Sequence, residues 1–473
     1  MTTWLGFGLL LIHLLGLVSA MLALMSSRTS QGAVAWIISL VTFPYLALPA
    51  YWLFGQPRFY GYVSARGQRD VILRRVMARY RPLIDPYLSD SQHGNVKAIE
   101  QLAKMPLTRG NRAELLVDGY ATFDSLFDGI EQAQSYILIQ FFIVRCDHLG
   151  MELKRRLEKQ VARGVKVFFM YDEIGCYNLE DSYFAELRRA GAEVHAFNST
   201  RGWRHRFQLN FRNHRKVMVV DGRLGWTGGL NAGKEYLGED PRHGPWRDTH
   251  LKLAGPSVMG LQESFWEDWH WATGEVLDLN WEPHTIEAQG QGQNVVIVPS
   301  GPADRQETAS LLTQHAIHSA QHRLWVTSPY FVPDQGVMDA LQLAVLRGVD
   351  VRVMIPQRAD HLLVFLSAFA FLPDMLRAGV KIYRYQPGFL HQKVMLIDDH
   401  SASVGTVNLD NRSFRLNFEL TAFIPDPGFA AEVEAMLESD FTKCREITLD
   451  ELLERPFWRK MIARAAYLLA PVQ

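Results

Sequence analysis

The apolar positions follow two different patterns along the chain. Residues 4–25 and 33–54 are unbroken apolar runs without a formal charge, separated by a short polar break that contains Arg28. Each run is long enough to cross a bilayer core as a helix. The first three residues carry no basic side chain and a second run follows at once, which favours a two-helix transmembrane hairpin over 1–56 above a cleaved signal peptide. His13 lies inside the first run, where neither run offers an acidic partner, and reads as a neutral, satisfied histidine. Beyond residue 56 the pattern changes to short β-branched runs alternating with helical stretches, which predicts an α/β fold with helices flanking a mixed sheet.

That second pattern repeats. Strand-like runs at 114–117, 135–144, 164–170 and 190–194 have counterparts at 294–298, 323–332, 348–354 and 378–382, with Gly164 matching Gly348 and Gly191 matching Gly379. An internal repeat of this kind predicts two similar domains forming a pseudo-dimer. The expected boundaries are a juxtamembrane connector over 57–111 with a short helix at 96–104, a first domain over 112–290, and a second over 291–473. The second domain ends in an amphipathic segment, 457–469, that suits either the membrane interface or packing on the domain.

Each half carries the pattern His-x-Lys-x(4)-Asp, as His214, Lys216 and Asp221 and then as His391, Lys393 and Asp398. A Gly turn and an Asn follow each, ending in Asn231 and Asn408. On an extended chain, residues two apart share a face, so each His points the same way as its Lys. An imidazole beside a fixed ammonium suits a phosphodiester: the His attacks phosphorus or moves a proton, and the Lys binds the non-bridging oxygens. Asn231 and Asn408 are placed to donate to the same oxygens. Asp221 and Asp398 complete the catalytic signature, but their odd spacing from the His marks them as structural partners rather than proton carriers.

Charge and composition narrow the picture. The formal net charge of −1 gives no global basic field for nucleic acid. Arg58, Arg66, Arg69, Arg74, Arg75, Arg79 and Arg81 follow the second apolar run, which by the positive-inside rule puts the catalytic region in the cytoplasm of a multi-pass inner-membrane protein. These arginines serve equally as contacts for anionic headgroups. Arg201, Arg204, His205, Arg206, Arg212 and Arg215 precede or enter the first signature, and Arg412 and Arg415 follow the second. Arg212, Arg215, Arg412 and Arg415 are candidates for binding an anionic lipid; the stretch from Arg201 to Arg206 reads equally as a solvated loop. Cys146, Cys176 and Cys444 show neither a disulfide framework nor metal spacing. Gly228, Gly233 and Lys234 fit a phosphate-loop spacing, but Glu235 stands where Ser or Thr is required. No cofactor and no metal are expected.

The paired signatures resemble those of the phospholipase D superfamily. The double apolar run, Tyr330 to Asp334, Gly405 to Asp410, Asn417 to Glu419 and Arg455 to Trp458 resemble bacterial cardiolipin synthases over nearly the whole chain. The resemblance implies one His as nucleophile, assigned to His214, with the other protonating the leaving alcohol. It also implies an acidic residue downstream of each signature that orients its His: Asp248 for the first, Glu419 for the second. The implied reaction transfers a phosphatidyl group from one phosphatidylglycerol to another and releases glycerol, through a phosphohistidine. A hydrolytic phospholipase D, another phosphodiesterase and a non-catalytic membrane scaffold are the alternatives.

Overall fold

The structure is a computed structural model; it describes residues 2–27, 29–55, 82–89, 94–197, 210–284 and 292–473. The arginines from Arg58 to Arg81, and Arg28, Arg201, Arg204, His205 and Arg206, lie outside the described residues. The first apolar run is one helix, Thr2–Ser26. The second is not the single span expected. It forms two helices, Ser30–Thr42 and Pro44–Phe54, broken at Phe43, whose backbone stands at φ −138° and ψ 59°. The ring of Pro44 excludes the α conformation at the preceding residue, and neither piece alone has the length of a bilayer core. Within the described residues, one helix, Gly6–Ser26, is long and apolar enough to cross a membrane. The three helices share a small core of Ala20, Ala23, Leu40, Ala47, Leu48 and Tyr51. Gly16 permits their close approach, since a Cβ there would stand 2.5 Å from the Leu40 carbonyl oxygen. His13 finds a partner in the Tyr45 hydroxyl, 3.0 Å from Nε2.

The rest of the described chain is built on a long mixed sheet. From one edge inward run Glu193–Ala196, Lys166–Tyr171, Tyr136–Phe141, Val217–Val220, Leu224–Gly228, Thr249–Ala254 and Thr108–Val117. From the other edge run Lys381–Tyr385, Asp350–Pro356, Arg323–Thr327, Val394–Ile397, Ser401–Gly405, Asn417–Ile424 and Gln293–Ser300, with Cys444–Ile447 added outside. The order is the same from both sides. In each half the outer three strands are parallel and the inner pairings antiparallel. The halves join where Thr108–Val117 pairs antiparallel with Gln293–Ser300. The joining strand therefore starts inside the segment expected to be connector, just after the helix Gly94–Ala103.

The strands that carry the chemistry, Val217–Val220 and Val394–Ile397, are buried at every residue. Helices cover both faces of the sheet there, so the strands read as continuous apolar runs rather than alternating ones. A rigid, dry strand immediately after each His and Lys fixes where those side chains can point.

Candidate active site

Two short ladders cross between the halves and set the site. Arg212–Asn213 pairs parallel with Asn417 and Phe418, and Phe389–Leu390 pairs parallel with Trp246 and Arg247. Each ladder ends at a signature histidine. The His214 amide donates to the Phe418 carbonyl at 2.9 Å, and the His391 amide donates to the Arg247 carbonyl at 2.8 Å. The next residue on each opposing segment is a carboxylate. His214 Nδ1 lies 2.8 Å from Glu419 Oε2, and His391 Nδ1 lies 2.6 Å from Asp248 Oδ2. The pairing is thus crossed, the reverse of the own-half assignment that the sequence suggested. The cause is topological: Asn417–Ile424 lies near the junction of the halves, so its first residues reach the other half's signature before their own.

Both carboxylates are fully buried and well supported. Glu419 accepts the Thr406 hydroxyl at 2.5 Å and the Asn417 amide at 3.1 Å. Asp248 accepts the Thr249 backbone N–H at 2.8 Å. The equivalent of Thr406 in the first half is Gly229, where a Cβ would stand 2.0 Å from Asp248 Oδ1. One half therefore supplies a hydroxyl where the other needs empty space.

Each lysine folds back on its own histidine. Lys216 Nζ donates to the His214 carbonyl at 2.6 Å, and Lys393 Nζ donates to the His391 carbonyl. Burial pushes both imidazoles down, to about 4, against the pull of the carboxylate that faces each. Burial likewise lowers Lys393 to about 8 and carries Lys216 well below its usual range. For the carboxylates burial acts the other way, but His214 and Lys216 outweigh it at Glu419, and His391 and Lys393 at Asp248; both stay ionised. Lys393 also acts on His214 and Lys216, so the two signatures share one electrostatic environment. A neutral imidazole donating Nδ1–H to a carboxylate leaves Nε2 with a lone pair for phosphorus or a proton.

The description "Cardiolipin synthase, PLD-like domain" matches residues 126–242 and 313–441, so each matched segment holds one signature. The curated Cardiolipin synthase A of Pseudomonas putida is 48% identical over 99% of this chain and 98% of its own length. That of Pseudomonas aeruginosa is 48% identical over 100% of this chain and 96% of its own. This chain belongs to the cardiolipin synthase family. Among solved structures it shares the fold of a phosphatidylserine synthase from Haemophilus influenzae, with a TM-score of 0.59 at 15% identity, covering 80% of this chain and 100% of that one.

Not every residue singled out in this family member comes to the centre. Asp221 and Asp398 close left-handed turns, at φ 53° and φ 50°. Asp221 accepts the backbone N–H groups of Gln134, Ser135 and Tyr136, each at 2.8 Å, and Asp398 accepts those of Gln321, His322 and Arg323. They clamp the return of the signature strand to the start of its neighbour and have no place among the reacting groups. Asn231 donates to the Tyr236 hydroxyl at 2.8 Å and accepts the Ile143 N–H at 3.1 Å. Asn408 is buried and its Oδ1 has no hydrogen-bond partner.

The arginines divide. Arg215 is buried and spans the halves: it donates to Asp268 at 2.9 Å and to the carbonyls of Glu419 and Ser300. Arg415 is held by Glu307, Asn411 and Asp334. Both are structural ties rather than the lipid ligands expected. Arg412 reaches the carbonyl and side-chain oxygens of Asn210 at 2.9 and 2.6 Å, and Arg212 donates to the Phe211 carbonyl at 2.8 Å. Arg412 is pushed down to about 10 by burial and then by Arg212 close by.

Three acidic residues were missed. Asp268 gathers Gln140, Asn213 and Arg215, and its counterpart Asp440 gathers Arg247 and Gln392. Each therefore fixes the middle residue of one His-x-Lys. Their signal is a carboxylate at a position that helical spacing places on the buried face, which demands a partner. Asp360 accepts the half-buried Tyr330 hydroxyl at 2.6 Å and bears electrostatically on His391 and Lys393. It lies in a loop, where no periodic pattern could reveal it.

Proposed function

We propose that the chain makes cardiolipin by exchanging one phosphodiester for another at a single site shared by both halves. The donor is phosphatidylglycerol. His214 Nε2 attacks phosphorus, the bond to the glycerol oxygen breaks, and His391, which enters this step as the imidazolium held by ionised Asp248, gives the departing alkoxide its Nε2 proton and is left neutral. The headgroup hydroxyl of a second phosphatidylglycerol then loses its proton to His391 as its oxygen attacks phosphorus, and the phosphorus–nitrogen bond to His214 breaks. Lys216, Lys393, Asn231 and Asn408 bind the non-bridging oxygens, while Glu419 and Asp248 hold the two imidazoles and stabilise their charged forms. No nucleotide enters, because a diester bond is broken for each one formed.

The observation that carries this reading is the pair of crossed histidine–carboxylate bonds, at 2.8 and 2.6 Å. They make each half depend on the other, so the repeat works as a pseudo-dimer of two phospholipase D-like domains, 112–290 and 291–473. The apolar helices of residues 1–56 serve as the membrane anchor, with the helix Thr2–Ser26 as one crossing and the two shorter helices together returning the chain. Anionic lipids of the inner membrane are then the partners, and the catalytic region faces the cytoplasm.

The test supplies only phosphatidylglycerol to purified full-length protein. Cardiolipin and glycerol should appear in equal amounts, and acid quench should trap a lipid–protein adduct that His214→Asn abolishes. Phosphatidic acid as the main product would make the protein a hydrolase. A strict need for a cytidine-diphosphate lipid would overturn the donor.

A further inference from the structure

The C-terminal helix Phe457–Tyr467 has two apolar faces and only one of them is used. Ala463 and Ala466 are buried against the protein, and Tyr467 meets the ring of Phe371 at 5.2 Å, so the helix is packed on Leu362–Ala378. The opposite arc carries Phe457, Trp458, Met461, Ile462 and, just beyond, Leu468 and Leu469, with exposures from 43% to 77%. Residues at these spacings line one side of a helix. An exposed apolar arc on a helix already docked by its other face is not explained by folding.

The surroundings are cationic. The helix contains Arg459, Lys460 and Arg464 and no acidic residue. A cleft of about 170 Å³ between it and Leu362–Ala378 is lined by Arg377, Arg455 and these same three side chains. Arg377 is paired with Asp374, and Arg455 lies over the Phe369 ring at 3.6 Å. Arg455 is held below its ordinary value by burial and by Arg459 beside it, so like charges are crowded here. A broad apolar arc bordered by lysine and arginine matches the boundary between acyl chains and anionic headgroups.

We propose that Phe457–Tyr467 is an interfacial docking helix that lays its outer apolar arc into an anionic leaflet while its cations engage lipid phosphates. It gives the catalytic body a second hold on the membrane, far along the chain from the N-terminal helices. The proposal goes beyond the catalytic reading and depends on no residue role assigned there.

Full-length protein in vesicles containing phosphatidylglycerol tests it. In a Cys146→Ser background, nitroxides are placed at Met461→Cys, Leu468→Cys and, as a control on an exposed position of another helix, Glu432→Cys. The ratio of collisions with oxygen to collisions with an aqueous nickel chelate should be at least about threefold higher at the first two than at the control. Combined Arg459→Glu, Lys460→Glu and Arg464→Glu, or high salt, should erase the difference. As a second readout, brominated phosphatidylglycerol should quench part of the tryptophan emission, and Trp458→Phe should remove that part. Equal ratios at all three positions overturn the proposal. So does protection from both reagents, which would mean that protein covers the face, and so does quenching unchanged in Trp458→Phe.

Discussion

At the scale of the residue, the site separates two jobs that meet in one His-x-Lys. Burial pulls the histidines down, to about 4, and the ionised carboxylates behind them oppose it, so in the proposed mechanism Glu419 and Asp248 are the groups that stabilise an imidazolium. Glu419→Gln and Asp248→Asn preserve shape but remove that charge, and each should lower kcat by roughly 10²–10⁴-fold, in line with losses at other oriented histidines. Loss of less than tenfold in a folded variant would remove the carboxylates from the mechanism. The lysines set the alkaline limb. Lys393 titrates at about 8 in the substrate-free protein, so it is charged below that pH and neutral above it. Only the charged form attracts a phosphodiester, so kcat/KM should fall as pH rises through about 8. A bound phosphate anion favours the ammonium, so the same limb in kcat should lie at higher pH. A pH–rate series on both parameters checks this, and coincident limbs would assign the titration to another group.

At the scale of the element, the crossed ladders explain what the sequence made legible and what it hid. The repeat, the α/β alternation and the paired signatures could all be read because each is a local pattern that recurs. The partner of each histidine could not, because Glu419 lies 205 positions from His214 and Asp248 lies 143 from His391, with no periodicity linking them. Two further features are legible in the sequence. Pro44 sits within the second apolar run and predicts the break at Phe43. Arg215 stands between two residues that face the site, so alternation turns it away from them, into the core, where an arginine needs a carboxylate. Arg215 is nearly inaccessible and meets Asp268 at 2.9 Å. Removing one partner of a buried ion pair costs about 3–5 kcal/mol. Arg215→Ala should therefore lower unfolding stability by that order in denaturant titration, with KM for lipid nearly unchanged in whatever remains folded. A raised KM at unchanged stability would restore Arg215 as a lipid ligand.

At the scale of the whole molecule, the two halves, the N-terminal apolar helices and the chemistry form one device for exchange between lipids. In the proposed mechanism Lys216 and Lys393 supply the positive charge at phosphorus, so excess chelator should leave the initial rate nearly unchanged. A large loss restored by a divalent ion would contradict that assignment. The final consequence is thermodynamic. Phosphatidylglycerol and cardiolipin both hold phosphorus as a diester of glycerol-type alcohols, and the covalent step we propose keeps that bond's energy in the site. Forward and reverse reactions therefore differ little in free energy, and mass action decides the direction. Excess isotopically labelled glycerol, added to protein in vesicles of cardiolipin, should be incorporated into phosphatidylglycerol, one label per cardiolipin consumed. His214→Asn and His391→Asn should each stop both directions equally, because the same two imidazoles serve each way. Were label to stay in free glycerol while phosphatidic acid accumulated, water would be the acceptor and the chemistry hydrolysis. Were synthesis to proceed without any reversal at high glycerol, an energy-rich donor would have to be driving it, and phosphatidylglycerol could not be the only lipid consumed.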